Sequence, residues 1–183
     1  MNVRRSQSTC RLGLTVLTMA LVCAVAPARA QDRCDESIAS RAQQDVQRLV
    51  QAPYRGDAET VLRFTHPRVV EIQGGSEATR QAIEKVIADV RASKMSVESM
   101  TFPEAPACVA SGGRRFVLVP TLSIINVGNT RVESLNYQFG VLEPGASGIT
   151  YIEGSRVNAR TVQMLFPGFP KNVKFPPTYR KRI

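Results

Sequence analysis

Between Arg131 and Leu142 the chain alternates: Leu135, Tyr137, Phe139 and Val141 share one face, and Ser134, Asn136 and Gln138 the other. A period of two marks a strand with one buried face. The stretch before it, Arg114 to Asn126, is long, β-branched and apolar, and Gly128-Asn129 separates the two. Together they predict a long antiparallel hairpin, whose apolar face the remaining elements must cover. Pro120 has no N–H for a ladder, so it predicts an edge position or a bulge in the first of these strands. Ser96 to Phe102 and Ile149 to Glu153 bring the sheet to about four strands. The segment with Pro103, Pro106, Cys108 and Gly112-Gly113 reads as a loop.

Upstream of the strands the period is helical. Ile38, Ala42, Val46, Leu49 and Val50 form one stripe, with Asp35 as its cap and Pro53 predicting an end near Ala52. Gly56-Asp57 opens a shorter helix carrying Val61, Leu62 and Phe64. Thr65-His66-Pro67 then breaks the chain, because a residue before proline avoids helical angles and proline suits a first helical turn. A further turn runs from Arg68 to Ile72. Gly74-Gly75-Ser76 precedes a third helix with a buried stripe of Ala82, Ile83, Val86, Ile87 and Val90. Asn158 to Leu165 reads as a short helix stopped by Pro167. Three helices followed by an antiparallel meander predict an α+β fold, with the helices on the apolar face of a curved sheet and a cavity at the wide end of the resulting cone.

The first thirty residues read as a secretory signal. Arg4, Arg5 and Arg11 precede an apolar run from Leu12 to about Ala26, which ends in Ala28-Arg29-Ala30. That run falls short of the roughly 20 residues a membrane span needs, so no stable span is expected after cleavage. The expected location is periplasmic or secreted. The domain then covers residues 31–170, and a basic, proline-containing tail covers residues 171–183.

The formal charge of +9 belongs to the two ends. Four arginines lie in the signal and five basic residues in the tail, leaving fifteen residues of each sign in the body. A nucleic-acid surface needs a clustered positive field, so no nucleic-acid partner is expected. Cys10 and Cys23 belong to the signal. Cys34 and Cys108 remain as an even pair in an oxidising compartment, which predicts a disulfide. Two cysteines and the single His66, far apart in sequence, lack metal-ligand spacing, and no metal is expected. Phosphate-loop, dinucleotide and nucleophile-elbow motifs are missing from the sequence, and no cofactor is expected.

The order of elements resembles the NTF2-like, or cystatin-like, superfamily. The segments GDAETVLRFTHPRVVEIQGG and YIEGSRVNARTVQMLFPGFP are similar to parts of a family of exported bacterial NTF2-like proteins. The resemblance covers Tyr54 to Lys174 and implies the cone-shaped fold, but carries no established activity. Where that family has a tryptophan ahead of the strand, this chain reads Gly148-Ile149-Thr150 before Tyr151. Ketosteroid-isomerase-like relatives place an aspartate and a tyrosine inside the cone. Here no aspartate follows Asp89, and Glu133 and Glu153 are the nearest substitutes.

The expected pocket residues are Phe64, His66, Tyr137, Phe139 and Tyr151. His66 reads first as a helix break, with a pocket or proton-transfer role as the alternative. No catalytic residue is assigned, since acid–base work needs an acceptor whose pKa is moved by burial or a partner. The sequence therefore predicts a non-enzymatic domain that binds a small apolar ligand or a protein partner. The alternatives are an isomerase- or hydrolase-like enzyme, and a structural or homodimerising subunit. Phe169, Val173, Phe175 and Tyr179 suggest a tail packed on the body with fraying last residues, or else an arm for anionic lipid or an acidic partner.

Overall fold

The computed structural model describes residues 32–183, and the expected signal segment lies outside the described residues. They form an α+β fold built on a curved, open antiparallel sheet. Strand β1 is Asp32–Arg33. Helices α1 (Glu36–Arg55), α2 (Ala58–Phe64), α3 (Pro67–Ile72) and α4 (Ser76–Ala92) follow. Strands β2 (Met95–Thr101), β3 (Ala107–Ser111), β4 (Arg114–Val127), β5 (Thr130–Leu142) and β6 (Thr150–Glu153) come next, then α5 (Ala159–Leu165) and β7 (Tyr179–Arg182). The layout thus differs from three helices and about four strands: four helices precede the hairpin, and the described residues hold seven strands.

The hairpin is the frame. Strands β4 and β5 pair without a break from Arg115↔Leu142 to Val127↔Thr130. Each long strand has two shorter partners in series on its outer edge. On β4 these are β3, against residues 114–118, and β2, against residues 122–127. On β5 they are β6, ending at Gln138, and β7, against residues 132–135. Pro120 falls in the gap between β3 and β2, where a proline costs no ladder hydrogen bond. The edge position it predicted is a local one inside the longest strand.

Several boundaries differ for physical reasons. Helix α1 runs through Pro53 to Arg55. A proline this close to a helix end removes one N–H from the last turn only. Gly56, left-handed at φ 78°, then closes the helix, with its N–H donating to Pro53 O and the Asp57 N–H to Ala52 O. Asp35 stands at the N-cap position, but its carboxylate takes Arg115 Nη1 at 2.7 Å instead of a backbone N–H. The segment expected as a loop is strand β3, and it pairs with β1 at Asp32↔Cys108. The Cys34–Cys108 disulfide closes beside that pairing, with Cα atoms 4.9 Å apart. Among the described residues no helix is long and apolar enough to cross a membrane.

The two faces of the sheet hold separate cores. Phe116, Leu118, Tyr137, Phe139 and Val141 pack against Val162, Phe166, Phe169 and Val173. Val117 and Val119, on the other face, pack against Ala42, Val46, Phe64, Ile149 and Tyr151. This corrects the expected orientation of β5. Its Tyr137 and Phe139 face meets the segment that follows the sheet, and its Ser134, Asn136 and Gln138 face turns toward the helices. Residues 166–175 carry enough aromatic surface to cover the apolar side themselves, which frees the helices to take the other.

Candidate functional site

Where α1, α3 and α4 stand off the sheet, they enclose a cavity of about 870 Å³. Its helical wall is largely apolar, with Leu49 and Val50 from α1, Ile72 from α3, and Ile83 and Val86 from α4, and it also carries Tyr54, Arg68, Glu71 and Thr79. Its floor is polar. Thr121 and Ser123 of β4 lie beside Ser134, Asn136 and Gln138 of β5, paired across the hairpin as Thr121↔Asn136 and Ser123↔Ser134. Thr121, Ser123, Ser134 and Gln138 are all buried. Thr121 Oγ1 donates to Asn136 O at 3.3 Å, so part of this row is already satisfied by backbone. Gln73 Oε1 is buried in the wall with no hydrogen-bond partner.

The mouth is apolar as well. Ile72, Val86 and Met164 are 73, 51 and 63 % exposed, and all three line the cavity. Val86 was expected in the buried stripe of its helix; that stripe is Thr79, Ile83, Ile87 and Val90. Volume, wall and floor match a small-molecule site, which is mostly apolar with a few polar groups that fix orientation.

The five expected pocket residues divide. Tyr151 lines the cavity. Phe64 packs edge-on against it, with centroids 6.0 Å apart, and the His66 N–H donates to Tyr151 O at 3.0 Å. Tyr137 and Phe139 are on the opposite face of the sheet. The Tyr137 hydroxyl donates to Val157 O at 2.9 Å, and burial pushes its pKa up to about 12. Phe139 packs against Phe116, Phe166 and Phe169.

His66 is 2 % exposed and caps α3, its Nδ1 accepting the Arg68 N–H at 3.2 Å. That bond leaves the ring proton on Nε2. Nε2 has no hydrogen-bond partner and lies 3.9 Å from Glu143 Oε1. Arg114 Nε donates to both Glu143 oxygens, at 3.0 and 2.8 Å. The ring stands edge-on to Phe166 at 5.3 Å. Burial holds the His66 pKa below its ordinary 6.5, with Glu143 opposing the shift. The imidazole is therefore neutral near pH 7 and fixed in one tautomer.

An acid does lie beside a tyrosine of the lining, behind it on α1. The Tyr151 hydroxyl is buried near the Asp45 carboxyl group without a hydrogen bond of ordinary length. Burial, then Asp45, raises the Tyr151 pKa. Burial also raises that of Asp45, while Arg48 and Arg41 oppose it. Asp45 is on α1, outside the cavity lining. Within the cavity Glu153 pairs with Arg156 at 3.4 Å. Glu133 faces away from it and accepts the Tyr179 hydroxyl at 2.8 Å.

The polar floor was visible in the sequence as an alternation, but nothing local says which side of a strand meets the helices. Arg180, also in the lining, had no local signal. No family model matches the chain, and neither a curated protein nor a solved structure does.

Proposed function

We propose that this chain is an exported, non-enzymatic domain of NTF2-like architecture that holds a small ligand with a largely apolar body. The observation that carries the proposal is the cavity of about 870 Å³, with its largely apolar helical wall and polar sheet floor. The apolar mouth supports it: Ile72, Val86 and Met164 are large, exposed and gathered at one opening. Burial of apolar surface drives such binding, and a polar floor orients the ligand. The NTF2-like assignment rests on helices standing over a curved antiparallel sheet and on the two similar segments. Export rests on the signal-like start, and the disulfide is consistent with an oxidising compartment.

Binding is favoured over isomerase or hydrolase chemistry by the state of the acid–base groups. His66 is occupied as a helix cap and wedged on Phe166, Asp45 lies outside the cavity lining, Glu153 is paired with a cation, and Glu71 in the lining is exposed to water. The test is titration with N-phenyl-1-naphthylamine, a neutral fluorescent probe, alongside native mass spectrometry for co-purified ligand. Saturable enhancement at one probe per chain is expected. Val86→Glu and Met164→Lys, at exposed positions, should each weaken it about tenfold with no change in melting temperature. Non-saturable enhancement, or variants that bind as the parent does, would overturn the reading.

A further inference from the structure

Strand β7 lies along β5 with all four of its residues exposed, and it brings one cation to the cavity. Arg180 is registered opposite Ser134. Alternation puts its side chain on the helix face with Ser134, while Tyr179 and Lys181 point the other way. Tyr179 confirms this parity by bonding Glu133, a residue of the opposite face. Arg180 lines both the cavity and an adjoining cleft of about 350 Å³, which it shares with Ser134 and Asn136.

Among the described residues Arg180 has no carboxylate within salt-bridge distance. Of the other two arginines in the lining, Arg156 pairs with Glu153 at 3.4 Å, whereas Arg68, like Arg180, makes no ion pair among the described residues. Arg180 thus adds a positive charge without an acidic partner, next to hydroxyl and amide groups. The phenol of Tyr54, also in the lining, feels it: burial raises the Tyr54 pKa, and Arg180 opposes that shift.

We propose that the ligand is an amphipathic carboxylic acid whose carboxylate is held by Arg180, with its apolar body along Leu49, Ile83 and Val86. This rests on the ligand-binding reading above and adds the chemical class. A guanidinium matches a carboxylate with two parallel N–H···O bonds, and Ser134 and Asn136 flank the place where the oxygens would lie. The apolar side chains of Leu49, Ile83 and Val86, together with the Arg180 guanidinium, which has no ion-pair partner among the described residues, fit a single-headed acid. A neutral apolar molecule would gain no charge-assisted bond from the guanidinium, and a cationic amphiphile would meet repulsion.

The test compares dodecanoate, dodecanol and dodecyltrimethylammonium by calorimetry on the purified protein, with Arg180→Gln as the variant. Position 180 is exposed on an edge strand, so an unchanged melting curve should certify the fold. Dodecanoate should bind one per chain, at least about tenfold tighter than dodecanol. Arg180→Gln should erase that advantage and leave dodecanol unchanged. If acid and alcohol bind alike, or the variant keeps the preference, the carboxylate proposal fails while the cavity reading stands. If the ammonium amphiphile binds best, the assigned charge preference is wrong. If none of the three binds, the acid proposal fails, and the neutral-probe titration decides the cavity reading separately.

Discussion

Gly154 sits against Tyr137 so closely that a Cβ at position 154 would stand 2.4 Å from the Tyr137 carbonyl oxygen and 2.6 Å from its ring. Three residues on, Val157 O accepts the Tyr137 hydroxyl. The turn after β6 is therefore wrapped around one buried side chain. Gly154→Ala would force its methyl group against the Tyr137 carbonyl and ring, and a loss of about 1–3 kcal/mol of stability is expected from such overpacking. Urea denaturation checks it; an unchanged midpoint would show that the turn yields freely.

The Cys34–Cys108 bridge spans 74 residues and anchors the two-residue strand β1. By chain-entropy reasoning, reduction or Cys34→Ser with Cys108→Ser should cost roughly 4 kcal/mol. Melting with and without reductant measures the loss. Thiol labelling of the unfolded, unreduced protein should find neither of these cysteines reactive, and labelling of both would refute the bridge.

His66 gives the fold a pH dependence of defined sign. Its folded pKa is depressed by burial, so the unfolded chain binds the proton more readily. The stability this residue contributes is full above 6.5 and is lost as pH falls toward the folded pKa. Melting midpoints between pH 8 and pH 5 should fall less steeply for His66→Gln than for the parent. At pH 8 the variant should lose about 1 kcal/mol, the scale of a weakened cap, and keep ligand affinity within a few fold. Equal slopes would show that the ring does not titrate differently on folding.

The segment after α5 divides between core and edge. Phe169 is 4 % exposed and packs between Phe116 and Phe139, so Phe169→Ala should cost about 3–5 kcal/mol. Deleting Arg180 to Ile183 removes ladder bonds of an exposed edge strand and should lower stability by no more than about 1 kcal/mol. Paired denaturation curves check both. A deletion as costly as Phe169→Ala would make β7 part of the core.

The two periodicities carried most of the elements. The alternation of Leu135 to Val141 and the stripe of Ala42 and Val46 are local patterns, and local geometry follows them. What stayed illegible is non-local. Both faces of β5 are written in its sequence, but the partner of each depends on residues 166–175. The domain boundary predicted at residue 170 cuts through that segment, because prolines and lysines separate Phe169, Val173 and Phe175. Strand β3 was missed because Pro103 and Pro106 signal a loop up to its first residue. The sequence does hold one further signal. Gly140 lies inside a strand, and a Cβ there would come within 2.8 Å of Ile149 and 3.0 Å of Tyr151. A lone glycine in a strand marks such close approach, and it points to the side that Ile149 and Tyr151 occupy. The site was less legible than the fold, since Arg180 reaches it only through the pairing of β7.

The cover over Tyr137, Phe139 and Val141 has a consequence for synthesis. Val162, Phe166, Phe169 and Val173 all follow the hairpin in sequence, and they form the apolar core on that face. While the ribosome has delivered β5 but not residue 173, one side of the hairpin is bare hydrocarbon and aromatic ring. A nascent chain in that state is sticky and a natural client for a holdase. It is also unable to lock into its final shape until residue 173 has been delivered.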